Sequence, residues 1–395
     1  MDRSMGTGDT ANPLHGRTVL QVIPELAAGG AERTTVDIAR ALVAVGATAL
    51  VASTGGRLEG ELAEIGGSLI KLPLKSKSPL TLAANRGRLI RLIRDHGVDL
   101  VHARSRAPAW SALWAARATG IPFVTTYHGT YSGTSGPKRF YNSVMARGDR
   151  VIANSAFIAR HVEDRYPEAA SRLVAIPRGT DLAQFDPETV STARIDAARE
   201  ALGVAAKGPP LLFLPGRLTR WKGQMVFVAA LAQVAEAGKK FRAVMAGDVQ
   251  GRDTYAQLLQ ATIDTFGLSD RVRIAPHIED MPAALLASDV VVSASTDPEA
   301  FGRVAVEAQA MGKPIIATDH GGSVETIRIG PEATGWRVPP ADPDALAAAI
   351  LKALGMAGKE TAAMGVRGRA FVADRFSLHR MTDATLKVYT ELLAP

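Results

Sequence analysis

From Arg17 onward the chain alternates short apolar or β-branched runs with longer helical stretches, and that beat is the strongest constraint on its fold. Thr18–Ile23 is followed by the helical stretch Ala31–Val45 and then by Ala47–Ala52. Ser68–Leu72, Leu80–His96, Asp99–Ala103, Ala107–Ala118 and Phe123–Tyr127 continue the pattern. Parallel strands need a crossover of a dozen or so residues, usually a helix, so this alternation predicts a parallel sheet covered by helices on both faces. The beat restarts after Lys207-Gly208-Pro209-Pro210, with Leu211–Leu214 as a buried strand and Gln224–Ala237 as a helix. Arg242–Met245, Val272–Ile274, Val290–Ser293 and Pro314–Ala317 read as further strands. A chain of 395 residues exceeds what one core usually organises. Two doubly wound α/β domains facing across a cleft are therefore expected, with chemistry in the loops beyond the carboxyl ends of the strands.

Composition narrows the function. Apolar residues make up 47% and charged residues 22%, as in ordinary globular proteins. Without cysteine there is no thiolate nucleophile, disulfide or cysteine metal site, which suits a reducing cytoplasm. Residues 1–15 lack an apolar core and read as a disordered lead-in, not a secretory signal. No run is long and apolar enough to span a membrane. The net charge of +7 is uneven: residues 1–205 carry 25 Lys and Arg against 19 Asp and Glu. Only 5% of residues are aromatic and no nucleic-acid motif is present, so no nucleic-acid partner is expected.

Three segments carry chemistry. Pro24–Arg33 ends the first strand and contains Gly29-Gly30 just before a helix, where free N–H groups and the helix dipole favour an oxyanion. A mere tight turn is the plainer reading. Leu214–Gly223 places Arg217 and Lys222 after a buried strand, where fixed cations stabilise the charge of a departing diphosphate without a metal. A solvated basic turn is the alternative. Asp297–Glu307 sets Glu299 at a loop end and Glu307 eight positions later in a helix. Carboxylates accept sugar hydroxyls well, although a capping role for Glu299 would also fit.

Together these segments resemble glycosyltransferase family 4, whose members are retaining enzymes of the GT-B fold: the Gly-Gly-Ala-Glu, Gly-Arg…Lys-Gly and Glu-x7-Glu stretches occur in family order and spacing, with Val151–Ser155 in its expected place. The resemblance implies two Rossmann-like domains: an acceptor-side domain over residues 16–206 and a nucleotide-sugar domain over 207–375. A terminal helix over 376–395 would cross back to the first. It implies that Glu307 binds the ribose, Glu299 the donor hexose, and the backbone of the Ala300, Phe301, Gly302 and Arg303 stretch the sugar or phosphate. Arg217 and Lys222 would hold the diphosphate, with Gly29 and Gly30 closing over it. His277 and Ile278 would lie near the base, and His128 near the transferred sugar. Attack from the front face would retain configuration, with no protein nucleophile. Neither a cofactor nor a metal is expected, since the chain has no His-Glu-x-x-His, Walker lysine loop or Asp-x-Asp.

Acceptor contacts are expected from His102, Arg104 and Arg106 at a strand end, where two arginines would grip phosphate or carboxylate groups. The stretches His102–Trp110 and Thr126–Tyr131 resemble those of lipopolysaccharide-core mannosyltransferases, which implies GDP-mannose over a UDP-hexose and a glycolipid or lipopolysaccharide-core acceptor. The helix Thr81–His96 sets Leu82, Leu89, Ile90 and Ile93 on one side and Arg88, Arg91 and Arg94 on another. It would either rest on anionic lipid at the inner face of the membrane or pack as an ordinary amphipathic helix. The rival functions are a GT-B nucleotide-sugar epimerase and a non-catalytic sugar-nucleotide binder.

Overall fold

The structure is a computed structural model that describes residues 12–394 except Ala28, Ser132, Thr134, Ala206, Gln250 and Arg252. The chain divides into two units, residues 1–176 with 381–395, and residues 177–380.

In the first unit seven strands form one parallel sheet: β1 (Thr18–Val22), β2 (Thr48–Ser53), β3 (Ser68–Lys71), β4 (Leu100–Ala103), β5 (Phe123–Tyr127), β6 (Arg150–Ala153) and β7 (Leu173–Ala175). Their order is β3-β2-β1-β4-β5-β6-β7. The helices are α1 (Gly30–Ala44), α2 (Glu59–Glu64), α3 (Pro79–Asp95), α4 (Arg106–Thr119), α5 (Gly136–Ser143) and α6 (Ala156–Arg165). Because β2 and β4 flank β1 on opposite sides, the winding reverses between β1 and β4, and the loops leaving those two strands open the crevice in which such sheets bind ligands.

The second unit repeats this plan with β8 (Leu211–Pro215), β9 (Arg242–Ala246), β10 (Val272–Ala275), β11 (Val290–Ser293), β12 (Ile315–Thr318) and β13 (Trp336–Val338), in the order β10-β9-β8-β11-β12-β13. Its helices are α7 (Thr192–Leu202), α8 (Gln224–Glu236), α9 (Asp253–Thr265), α10 (Met281–Ala287), α11 (Arg303–Ala310), α12 (Ser323–Thr326), α13 (Pro343–Gly355) and α14 (Gly358–Arg375); α15 (Leu378–Leu393) ends the chain. Alternation along β8 sends Leu211 and Phe213 into one apolar core and Leu212 and Leu214 into another on the opposite face. Burial on both faces is why these strands read as continuous apolar runs. Here the winding reverses between β8 and β11.

Two expectations need correction. The division falls at Ile176–Pro177, some thirty residues before the Gly/Pro stretch, because Phe185, Val190, Ala198 and Leu202 join the core of the second unit and α7 packs on α10. Residues 1–11 of the lead-in lie outside the described residues, but Asn12–His15 forms a turn with Leu14 buried in full. Of the two readings of α3, the ordinary amphipathic helix is the one found: Leu82, Leu89 and Ile93 are buried with Leu92, Ile90 is half-buried, and α3 packs against α4, so that stripe is core. The last residues, 381–395, group with the first unit, where Tyr389 of α15 is fully buried.

Candidate functional site

In the second unit, the loops beyond β8, β11 and β12 converge. After β8, a short 3-10 turn over Arg220–Lys222 leads into α8 through Gly223, whose φ is +73°. A Cβ there would stand 1.8 Å from the carbonyl oxygen of Ala294, so only glycine lets this turn lie against the loop beyond β11. The amide of Thr296 donates to the Trp221 carbonyl at 2.7 Å and locks the two loops together. Their registration brings the Lys222 ammonium to 2.5 Å from the Glu299 carboxylate, where Ser295 also donates at 2.7 Å. Both members of the pair are only 14% exposed, so each is largely withdrawn from water and held in one geometry. The Trp221 ring lies 4.5 Å from the ammonium and supplies a further favourable face. Arg217 is exposed, with its guanidinium 5.9 Å from the same ring and no ion-pair partner among the described residues.

The loop beyond β11 is fixed from a third side. Gly322 donates from its amide to the Glu299 carbonyl at 2.8 Å, and a ring nitrogen of His320 bonds the Ser295 carbonyl at 3.0 Å. Phe301 is buried edge-on against Phe376, anchoring the next residue, Gly302, at the start of α11. Gly302 has φ +89°, a left-handed turn that aims the first amides of α11 out of the helix beside the Lys222–Glu299 pair's loop. Those amides and the helix dipole favour an anionic or carbonyl oxygen. Further along, Glu307 is 8% exposed and accepts from Nε and Nη2 of Arg303 at 3.2 and 2.7 Å, one helical turn away. His277 is exposed beyond β10, whereas the Ile278 side chain is committed to the core and leaves only its backbone for a ligand.

The structure thus brings Arg217, Lys222, Glu299, Gly302, Arg303 and Glu307 to one end of one sheet. Sequence reasoning missed Ser295, Trp221, His320 and Gly322. The pair Gly321-Gly322 after a strand was the available signal, the same one that drew notice to Gly29-Gly30. Glu307→Ala should weaken binding of a nucleoside diphosphate by about ten- to a hundredfold if its carboxylate takes the ribose hydroxyls, a charge-assisted contact of ~1.5–3 kcal/mol. Isothermal titration checks this, and an unchanged affinity would remove Glu307 from the donor site.

In the first unit Gly29 precedes α1 in extended conformation and Gly30 opens the helix, at the end of β1. His128 follows β5, where Asn154 donates to its carbonyl at 3.4 Å. The acceptor assignment changes. His102 is fully buried and Arg104 is 2% exposed, so neither side chain is presented to a ligand. Nε and Nη2 of Arg104 both donate to the Gln21 carboxamide oxygen, and the Gln21 amide nitrogen donates to the Thr35 carbonyl in α1. Arg104 also bonds the Tyr389 hydroxyl. That hydroxyl lies 2.5 Å from Nδ1 of His102, whose Nε2 is 2.7 Å from Thr126 Oγ1. Burial, reinforced by the Arg104 charge, holds the His102 pKa well below its ordinary value, so the ring is neutral. The consistent assignment has Arg104 donating to the Tyr389 oxygen, Tyr389 donating to Nδ1, and Nε2–H donating to Thr126. These residues tie α15 and α1 to the strand ends. They are polar groups satisfied inside a core, and the sequence could not show that the cover over them comes from Tyr389, 287 positions after His102. Arg106 stays half-exposed, stacked 4.0 Å over the Tyr131 ring and donating to Asn142.

Comparison with known proteins bears on the family and the fold. Residues 28–184 match the family described as Glycosyltransferase Family 4, and residues 197–371 match Glycosyl transferases group 1. A glycosyltransferase from Rickettsia africae superposes with a TM-score of 0.88 at 34% identity, covering 96% of this chain and 99% of that one. HepE of Anabaena, solved with UDP and glucose, superposes with a TM-score of 0.79 at 26% identity over 94% of this chain and 99% of its own. The D-inositol 3-phosphate glycosyltransferase of Salinispora arenicola is 33% identical over 263 residues, 64% of this chain and 56% of its own length. The chain spans about half the length of the first such relatives it matches. Matches to both halves and a close likeness over nearly its whole length place the chain in glycosyltransferase family 4, with the GT-B fold.

Proposed function

We propose that the chain is a retaining glycosyltransferase that moves a hexose from a nucleoside-diphosphate sugar to a glycolipid or lipopolysaccharide-core acceptor without a metal. The observation that carries this reading is the Lys222–Glu299 pair, set beside the start of α11 with Arg217 free nearby. A carboxylate positioned by an ammonium and a hydroxyl is built to accept hydroxyl donors from a sugar. The α11 amides, with Arg217 and Lys222, stabilise the diphosphate as its bond to the anomeric carbon breaks. The departing phosphate oxygen takes the acceptor proton, so no protein nucleophile enters. The sequence leaned to GDP-mannose, but the likeness to HepE, solved with UDP and glucose, supports a UDP-hexose as the first donor to test. Relatives named for D-inositol 3-phosphate support an acceptor that carries phosphate. The setting we propose is the cytoplasm, close to a membrane holding a lipid-linked acceptor.

Thermal denaturation with UDP, GDP and their hexose conjugates in EDTA tests the reading. A matching nucleotide at about a hundred times its Kd should stabilise the fold by ~2.7 kcal/mol, and turnover with the matching sugar should persist in EDTA. An absolute need for a divalent ion would overturn the role given to Arg217 and Lys222. Epimerised donor in the absence of any acceptor would favour the epimerase.

A further inference from the structure

We propose that the face of the first unit formed by α4, α5 and the first turn of α3 docks on an anionic phospholipid surface, with Trp114, Phe140 and Leu80 entering the boundary between headgroups and acyl chains. These three side chains are 39%, 62% and 84% exposed, and Trp114 and Phe140 both pack on Trp110. Trp110 anchors the patch. It is 6% exposed, and its indole N–H donates to the Tyr141 carbonyl at 3.1 Å. Phe140 lies flat on it, with ring centroids 5.0 Å apart and planes at 24°, and Trp114 leans on it at 5.7 Å. Phe140 is therefore held outward by stacking, not left loose. Leu80 belongs to the turn of α3 that meets α4, where the Ser111 hydroxyl donates to the Leu82 carbonyl at 2.8 Å.

Charge identifies the occupant. Between residues 72 and 148 the chain has twelve Lys and Arg and only two acids, Asp95 and Asp99, and α4 and α5 contain no acid at all. The Arg147 guanidinium lies 5.3 Å from the Trp110 ring and 5.6 Å from the Phe140 ring, so a cation sits at the aromatic patch itself. Lys138, exposed on α5, has no ion-pair partner among the described residues. Aromatic side chains amid cations match an anionic lipid interface, where rings settle at headgroup depth and each cation meets lipid phosphate. A second copy of this face would instead set cation against cation. The exposed rings replace the apolar stripe of α3, which is buried, as the inserting element. This surface would bring the transferase proposed above to a lipid-linked acceptor and in that sense rests on that reading. Vesicle binding is measured without turnover, so one can fail while the other stands.

The test is sedimentation of the full chain with vesicles of phosphatidylcholine alone and of phosphatidylcholine mixed with phosphatidylglycerol. Binding to the anionic vesicles, weakening with salt, is expected, and bromine placed on the acyl chains should quench tryptophan emission. The double substitution W114S/F140S should weaken binding by about tenfold or more in a protein that still folds, with unchanged secondary structure by circular dichroism. Lys138→Glu, which leaves the rings in place, should weaken it by about fivefold at low salt and little at high salt. Full binding by W114S/F140S, equal binding to neutral vesicles, or no binding to anionic vesicles at low salt would overturn the proposal. So would a dimer of the wild type that W114S/F140S dissolves, since a second copy would then cover the face. If W114S/F140S fails to fold, quenching of the wild type and the Lys138→Glu response decide the matter.

Discussion

Glu299→Ala is expected to lower kcat by about a hundred- to a thousandfold, the range seen when one preorganised polar contact is removed from a reacting centre. Affinity for the bare nucleoside diphosphate should change by only about threefold or less, because in the proposed reaction the carboxylate meets the sugar and not the phosphates. The loop itself should survive the substitution. Its position is set by backbone bonds, from Gly322 N to the Glu299 carbonyl at 2.8 Å and from Thr296 N to the Trp221 carbonyl at 2.7 Å, and by the burial of Phe301. What is lost is the shared acceptor of Lys222 and Ser295. Leaving a mostly buried ammonium without its partner costs ~1–3 kcal/mol of stability. Glu299→Gln separates charge from shape: it keeps an oxygen for Ser295 and should recover stability sooner than rate. Steady-state kinetics with the matching donor, alongside titration of the nucleotide, provide the measurement. If kcat stays within about twofold of wild type in both variants, the sugar contact lies elsewhere.

The two sheets were legible because parallel strands buried on both faces leave continuous apolar runs, and because each run is followed by a helix-length stretch. Three strands were missed: β6, whose buried run Val151–Ala153 was noted only as a family segment, and β7 and β13, which are three residues each, only partly buried, and carry too little apolar signal to stand out. The boundary was misplaced for a different reason. Lys207-Gly208-Pro209-Pro210 looks like a linker by composition, yet the segment before it is held by Phe185 and Leu202, whose core partners are distant in sequence. The residues assigned to the donor do stand in loops after strands, as the sequence suggested, but their pairing was not legible there. Lys222 and Glu299, assigned from sequence to the diphosphate and the sugar, turn out to be partners across 77 positions. Arg104 shows the opposite failure. A strand-end arginine reads as a ligand contact until Gln21 and Tyr389 are seen to enclose it.

The pairing gives the second large effect its form. Lys222→Met should lower kcat by about a hundred- to a thousandfold, through loss of a fixed cation at the departing diphosphate. It should also weaken nucleoside diphosphates more than monophosphates, by about tenfold. Lys222→Arg should rescue poorly. The ammonium occupies a narrow place between the Glu299 oxygen and the Trp221 ring, 4.5 Å away, and a planar guanidinium cannot fill it as a point charge does. Lys222 and Glu299 position one another, so each single substitution already forfeits part of what the other contributes. The double variant Lys222→Met with Glu299→Ala should therefore be less impaired than the product of the single losses, with a coupling of ~1–3 kcal/mol. Strict additivity would mean that the two groups act on the donor independently, and that their contact contributes nothing to placing either of them.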